Sequence, residues 1–109
     1  MSYDISLKID TGGPYPAEVD DVGNYTYNVG DMFAKALGCR LPELHGKVAG
    51  ECINKLETAV SHIRHPDNAG EYIKLNPKNG WGNHDGAAEY LESLLAACRR
   101  HPKAIIDIH

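Results

Sequence analysis

Long apolar runs are missing: nowhere do the 109 residues hold the roughly 18 consecutive apolar side chains that a membrane helix needs. Basic charge is scarce too. Eleven Lys and Arg stand against 15 Asp and Glu, a net charge of −4. That leaves no basic stripe for tracking phosphates, and it argues against general nucleic-acid binding and against adhesion to an anionic membrane. Cysteine is limited to Cys39, Cys52 and Cys98. An odd count at wide spacing, with no CxxC pair, excludes a disulfide framework and a dithiol redox motif, and a reducing cytoplasmic setting is the expectation. The opening MSYDISLKID has no basic region followed by an apolar stretch, so no secretion signal is expected. GxSxG, HExxH, a Walker A loop and a paired Cys/His cassette are all lacking, as are repeats and low-complexity segments. A chain of this size makes one domain, able to bury roughly two-thirds of its unfolded surface without staples.

What is there reads as an α+β domain. Ile5, Leu7 and Ile9 alternate with polar neighbours over residues 3–10, the pattern of a half-buried strand. Residues 11–22, TGGPYPAEVDDV, predict a loop stiffened by Pro14 and Pro16 and carrying Glu18, Asp20 and Asp21. Residues 23–29 alternate again: Tyr25, Tyr27 and Val29 on one face, Asn24, Thr26 and Asn28 on the other, which predicts a second strand. A short helix from Asp31 to Leu37 closes at Gly38. Apolar residues at helical spacing from Val48 to Ile63 predict a long helix over residues 47–64, ended by His65-Pro66. Residues 67–74 read as one further short turn of helix. A second long helix is predicted over residues 85–100, with Asn83 or Asp85 as its N-cap. Residues 104–108, AIIDI, make a last strand. The expected architecture is one domain: a sheet of about three strands, both terminal strands included, covered on one face by the two long helices.

Several segments together, YDISLKID, NYTYNV, LPELHG, LNPKNGWGNHDGAAEYLESLLAAC and HPKAIIDI, make the chain resemble a family of small bacteriophage and prophage proteins. The Asn-Gly-Trp-Gly core, Asn79 to Gly82, is the most specific piece. The resemblance implies a phage or mobile-element setting rather than a particular chemistry. Small acidic phage proteins outside the virion often counter host defences, some by sequestering nucleotide signals.

The loop from Asn76 to His84 packs Asn76, Asn79, Trp81, Asn83 and His84 into a short stretch and leads into a helix N-terminus. Trp offers a stacking face, Asn offers donors and acceptors matched to a base edge, and a helix N-terminus favours anions. These features suit a nucleotide. The competing structural reading has the Asn and Gly residues form turns and a cap, with Trp81 filling the core. The polar strand segment, with Tyr25 and Asn28, is the second candidate, and both segments together would make an aromatic, amide-lined site. Six histidines raise the question of metal, with His62 and His65 at i,i+3 and His45, His84, Asp85 and Cys39 as further candidates. No ligand spacing supports it, so no metal is assigned. His45, or His84 with Asp85, is the weak acid–base option, and no catalytic residue is assigned.

The reading with most support is therefore a non-catalytic protein without cofactor that binds a small nucleotide-like ligand through Tyr25, Asn28, Asn76, Asn79, Trp81, Asn83 and His84. A domain this small gains from a pocket shared in a homo-oligomer. The first alternative is an inhibitor that docks on a host defence protein through Tyr15, Glu18, Asp20 and Asp21, whose charge would steer it to a basic surface. The second is a small enzyme acting on a nucleotide.

Overall fold

A computed structural model describes residues 2–109. The first strand, β1 (Ser2–Ile9), sits at the centre of a three-stranded antiparallel sheet, between β2 (Ala17–Thr26) and β3 (Ile105–Ile108). Its alternation holds from Tyr3 to Leu7 except that Ser6 is buried too, and it lapses at Ile9, which is exposed at the strand end. Tyr3, Ile5 and Leu7 are buried beneath the helices, while Asp4 is exposed and Lys8 half-buried on the opposite face. Four helices complete the α+β domain: α1 (Gly30–Leu37), α2 (Ala49–Arg64), α3 (Ala69–Ile73) and α4 (His84–Arg100). α4 packs on β2 and β1, and α2 runs along α4. Leu56, Ala59 and Ile63 of α2 meet Leu91, Leu94 and Cys98 of α4 in one core. No helix among the described residues is long and apolar enough to cross a membrane. Cys52 and Cys98 are buried as small apolar groups, and burial pushes the Cys98 thiol up to about 12.

The expected loop over residues 11–22 is the main departure. Its second half is strand: β2 begins at Ala17 and carries Glu18, Asp20 and Asp21. Two breaks in register conceal the strand from a period-two reading. Asp21 and Gly23 face Ser6 and Ile5, leaving Val22 extra, and Glu18 and Asp20 face Lys8 and Leu7, leaving Val19 extra. Each extra residue is a bulge that inverts the alternation. The acidic residues are also not one free patch, because Asp20 accepts hydrogen bonds at 2.8 and 3.0 Å from Arg100 at the end of α4.

β2 also stops earlier than its alternation predicts. Thr26 Oγ1 accepts a hydrogen bond from the Asn28 backbone N–H at 3.2 Å, and Tyr27–Val29 coil into a single 3-10 turn. A short polar side chain has here taken over the pairing a strand would have made. Tyr25 and Tyr27 therefore do not share a strand face. Tyr25 turns to α4, and Tyr27 meets the Tyr3 ring edge-on at 4.5 Å.

β3 is covered on its outer edge by the segment before α2. Gly46 N–H donates to the Ile106 carbonyl at 2.8 Å, and Ile108 N–H donates to His45 Nδ1 at 3.0 Å. Asp107 lies here, its side chain 14% exposed, 2.6 Å from Lys8 Nζ and 2.9 Å from His109 Nε2. Burial pushes its carboxyl up, but the hydrogen bonds from Lys8 and His109 outweigh this and hold it below its ordinary value. A carboxyl lowered in the fold stabilises the protein above its unfolded pKa of about 3.9, and that stability is lost as the pH falls through the folded value. Urea midpoints measured from about pH 5 down to about pH 2 should therefore fall less steeply in Asp107→Asn than in the parent protein.

Candidate functional site

The Asn76–His84 loop is a chain of side-chain-to-backbone bonds. Asn79 Oδ1 accepts from the Trp81 N–H at 3.0 Å, and Asn76 Oδ1 accepts from the His84 N–H at 2.9 Å. Asn83 is the N-cap of α4, its Oδ1 accepting from the Gly86 N–H at 2.7 Å. The structural expectation for the asparagines thus holds. It does not hold for Trp81, whose residue is 64% exposed and stands outside the core.

The loop is docked on the strand end that the sequence marked as its partner. Tyr25 Oη accepts from the Asn83 N–H at 3.1 Å. Gly82 sits so close to Thr26 and Val29 that a Cβ there would lie 2.6 and 2.9 Å from their methyl carbons, and its φ is +92°. Only glycine combines that dihedral with that approach. Gly82→Ala should cost about 2 to 4 kcal/mol, from backbone strain plus overpacking, whereas Gly80→Ala, at φ +76° with open space around it, should cost only the backbone share, about 1 to 2 kcal/mol. Chemical denaturation of the two variants separates these contributions. Equal losses would mean that the contact to Thr26 and Val29 carries nothing.

No family model, curated protein or solved structure matches the chain. The site is therefore read from its own chemistry.

His84 turns away from the loop toward α2 and α3 and is half-buried there. Its Nε2–H donates to the Ile63 carbonyl at 2.7 Å, and its ring stacks on Tyr72 at 5.3 Å with an interplanar angle of 7°. Tyr72 is fully buried and shares a 2.6 Å hydrogen bond with His62 Nδ1, and burial pushes its hydroxyl up to about 12. Thus His84 holds the loop to α2 and α3 and is not presented with Trp81. The acid–base pairing of His84 with Asp85 does not form, because Asp85 bonds to Arg64 at 2.7 Å. Among the described residues, no three His, Cys, Asp or Glu side chains converge as a metal site requires.

Tyr25, Asn76, Asn79 and Asn83 therefore build the platform, and Trp81 is what the platform presents. Asn28 lies beside it, exposed, its Nδ2–H bonded to Thr26 Oγ1 at 2.8 Å. The helix end is less open to anions than its sequence implies. Two of its first-turn N–H groups, those of His84 and Gly86, are taken by Asn76 and Asn83, and the Asp85 carboxylate stands among them.

Two features escaped the sequence. One is the Lys8–Asp107–His109 cluster, which needs both terminal strands paired to exist. The other is a groove lined by Tyr3, Tyr27, Arg40 and Pro42. Its residues come from three separate segments, and no local pattern announces it.

Proposed function

We propose that the protein is a non-catalytic binding protein that captures a small nucleotide-type ligand on the Trp81 loop. The observation that carries this reading is a large aromatic ring left in water on a loop whose turns are closed by Asn76, Asn79 and Asn83 and anchored to Tyr25. Stacking a base on such a ring contributes about 1 to 3 kcal/mol. The loop backbone is braced by Asn76, Asn79, Asn83 and Tyr25, so little of that is spent on ordering the loop. One platform covers one face of a base, and a second copy of the chain would supply the other wall. Capture without turnover suffices for sequestering a signal, the role that the resemblance to phage proteins suggests.

A partner protein is the second reading, and the filled helix N-terminus favours it. With those amides occupied and Asp85 nearby, a phosphate is poorly served, while a well-presented Trp is a frequent anchor of protein interfaces. The chain holds one Trp, so its fluorescence reports on this site alone. A panel of mono-, di- and cyclic nucleotides should quench it, with native mass spectrometry giving the unaltered ligand mass and the number of copies. If no nucleotide moves the signal or the mass, the nucleotide reading fails and the protein-partner reading stands.

A further inference from the structure

We propose that the groove lined by Tyr3, Tyr27, Arg40 and Pro42 is a second binding site, for an uncharged planar heteroaromatic ring with hydrogen-bond acceptors on its edge, the chemistry of a nucleobase. The groove is open to solvent and offers about 470 Å³, within the range of small-molecule sites. Tyr27, 40% exposed, and Pro42 supply its apolar walls, and Tyr27 is braced edge-on against Tyr3.

The polar groups decide the ligand. Tyr3 is only 7% exposed, yet it is one of the residues lining the groove. Burial pushes its hydroxyl above its ordinary pKa, so it remains a donor at neutral pH. Arg40 is held over the same space. Its Nη1 bonds to Asp31 at 2.9 Å, and its backbone N–H donates to Glu43 at 2.7 Å in the Leu41–Leu44 turn. Tyr3 Oη and Arg40 Nη2 both lie within 4 Å of the point where a Gly30 side chain would begin, at 2.8 and 3.9 Å. Gly30 is buried, and a side chain there would press on the Tyr3 hydroxyl, so glycine leaves both donors in place at the groove. Asp31, exposed and paired with Arg40 Nη1, keeps a carboxylate beside that guanidinium.

Two donors lining one groove, the Tyr3 hydroxyl and the Arg40 guanidinium, match acceptors on the edge of a base. The Asp31 carboxylate beside Arg40 would repel a phosphate, which is why the ring rather than an anion is the ligand. An extended proline-rich peptide fits less well, because its like-facing carbonyls recur every three residues, about 9 Å apart. The site is independent of Trp81.

The test is an amide-resolved NMR titration with adenosine and with uridine, with ribose 5-phosphate as the ring-free control. At least one nucleoside should shift the Gly30, Asp31 and Leu41 amides, and the control should not. Tyr3→Phe keeps the ring and should weaken binding about fivefold, the loss of one hydrogen bond. Arg40→Met should weaken it at least as much, and Trp81→Ala should leave it unchanged. Any of four results overturns the proposal: no shift with either nucleoside, shifts confined to Gly80–Asn83, a response to ribose 5-phosphate or a proline-rich peptide in place of the nucleosides, or undiminished binding in Tyr3→Phe. Loss of nucleotide capture in Trp81→Ala with the groove shifts intact would bear only on the Trp81 loop.

Discussion

Trp81→Ala is expected to fold as the parent protein does and to lose its ligand. The ring is 64% exposed, so its removal takes little from the core, and the melting curve should move by no more than about 0.5 kcal/mol in stability. The backbone bonds that shape the loop come from Asn79, Asn76, Asn83 and Tyr25, and none of them uses the indole. Binding is another matter. Stacking on the ring contributes about 1 to 3 kcal/mol, so affinity should fall about 5- to 150-fold. Calorimetric titration of the ligand found by mass spectrometry reads this directly. A variant that binds within threefold of the parent would remove the loop from the site.

The largest loss of stability should come from Phe33→Ala. Phe33 is the only Phe in the chain and is fully buried, with its ring 5.6 Å from Tyr3 and 6.0 Å from Tyr90. Truncating a buried Phe costs about 3 to 5 kcal/mol, through lost transfer energy and the cavity left behind. A domain of this size has about 5 to 15 kcal/mol in all. Urea denaturation should therefore show the variant close to unfolding, whereas Phe33→Leu should keep most of the stability. Because Tyr3 leans on Phe33, the alanine variant should also disturb the Tyr3 groove, whereas the Trp81 loop, held by Tyr25 and Asn76, should not change before the whole domain does. An alanine variant as stable as the parent would mean that the cluster of Tyr3, Phe33 and Tyr90 is not the centre of this core.

The candidate site was half legible. The Asn-Gly-Trp-Gly loop and the Tyr25–Asn28 segment both stood out, and the Gly82 contact and the Tyr25–Asn83 bond join them. What each residue does there was not legible. Asn oxygens serve equally well for closing a turn and for reading a base, and only the partner in space decides which. His84 shows the same ambiguity. Nothing among its neighbours in sequence says that its ring will stack on Tyr72, which lies on α3.

Local chemistry alone determined a good part of this protein. The alternation of Ile5 and Leu7 made β1, the helical spacing from Cys52 to Ile63 and from Ala87 to Cys98 made α2 and α4, and Asn83 capped the latter. These are short-range effects, set by side-chain period and by backbone groups a few residues apart, so they can be read along the chain. The tertiary structure decided the rest. Pairing with β1 drew residues 17–22 into a strand and placed Val19 and Val22 in bulges that no period reveals. It also set Tyr3 against Tyr27 and Arg40, brought Asp107 to Lys8, and left Trp81 in water. Each of these depends on which distant surface a segment meets, and that energy appears only when the segments are packed.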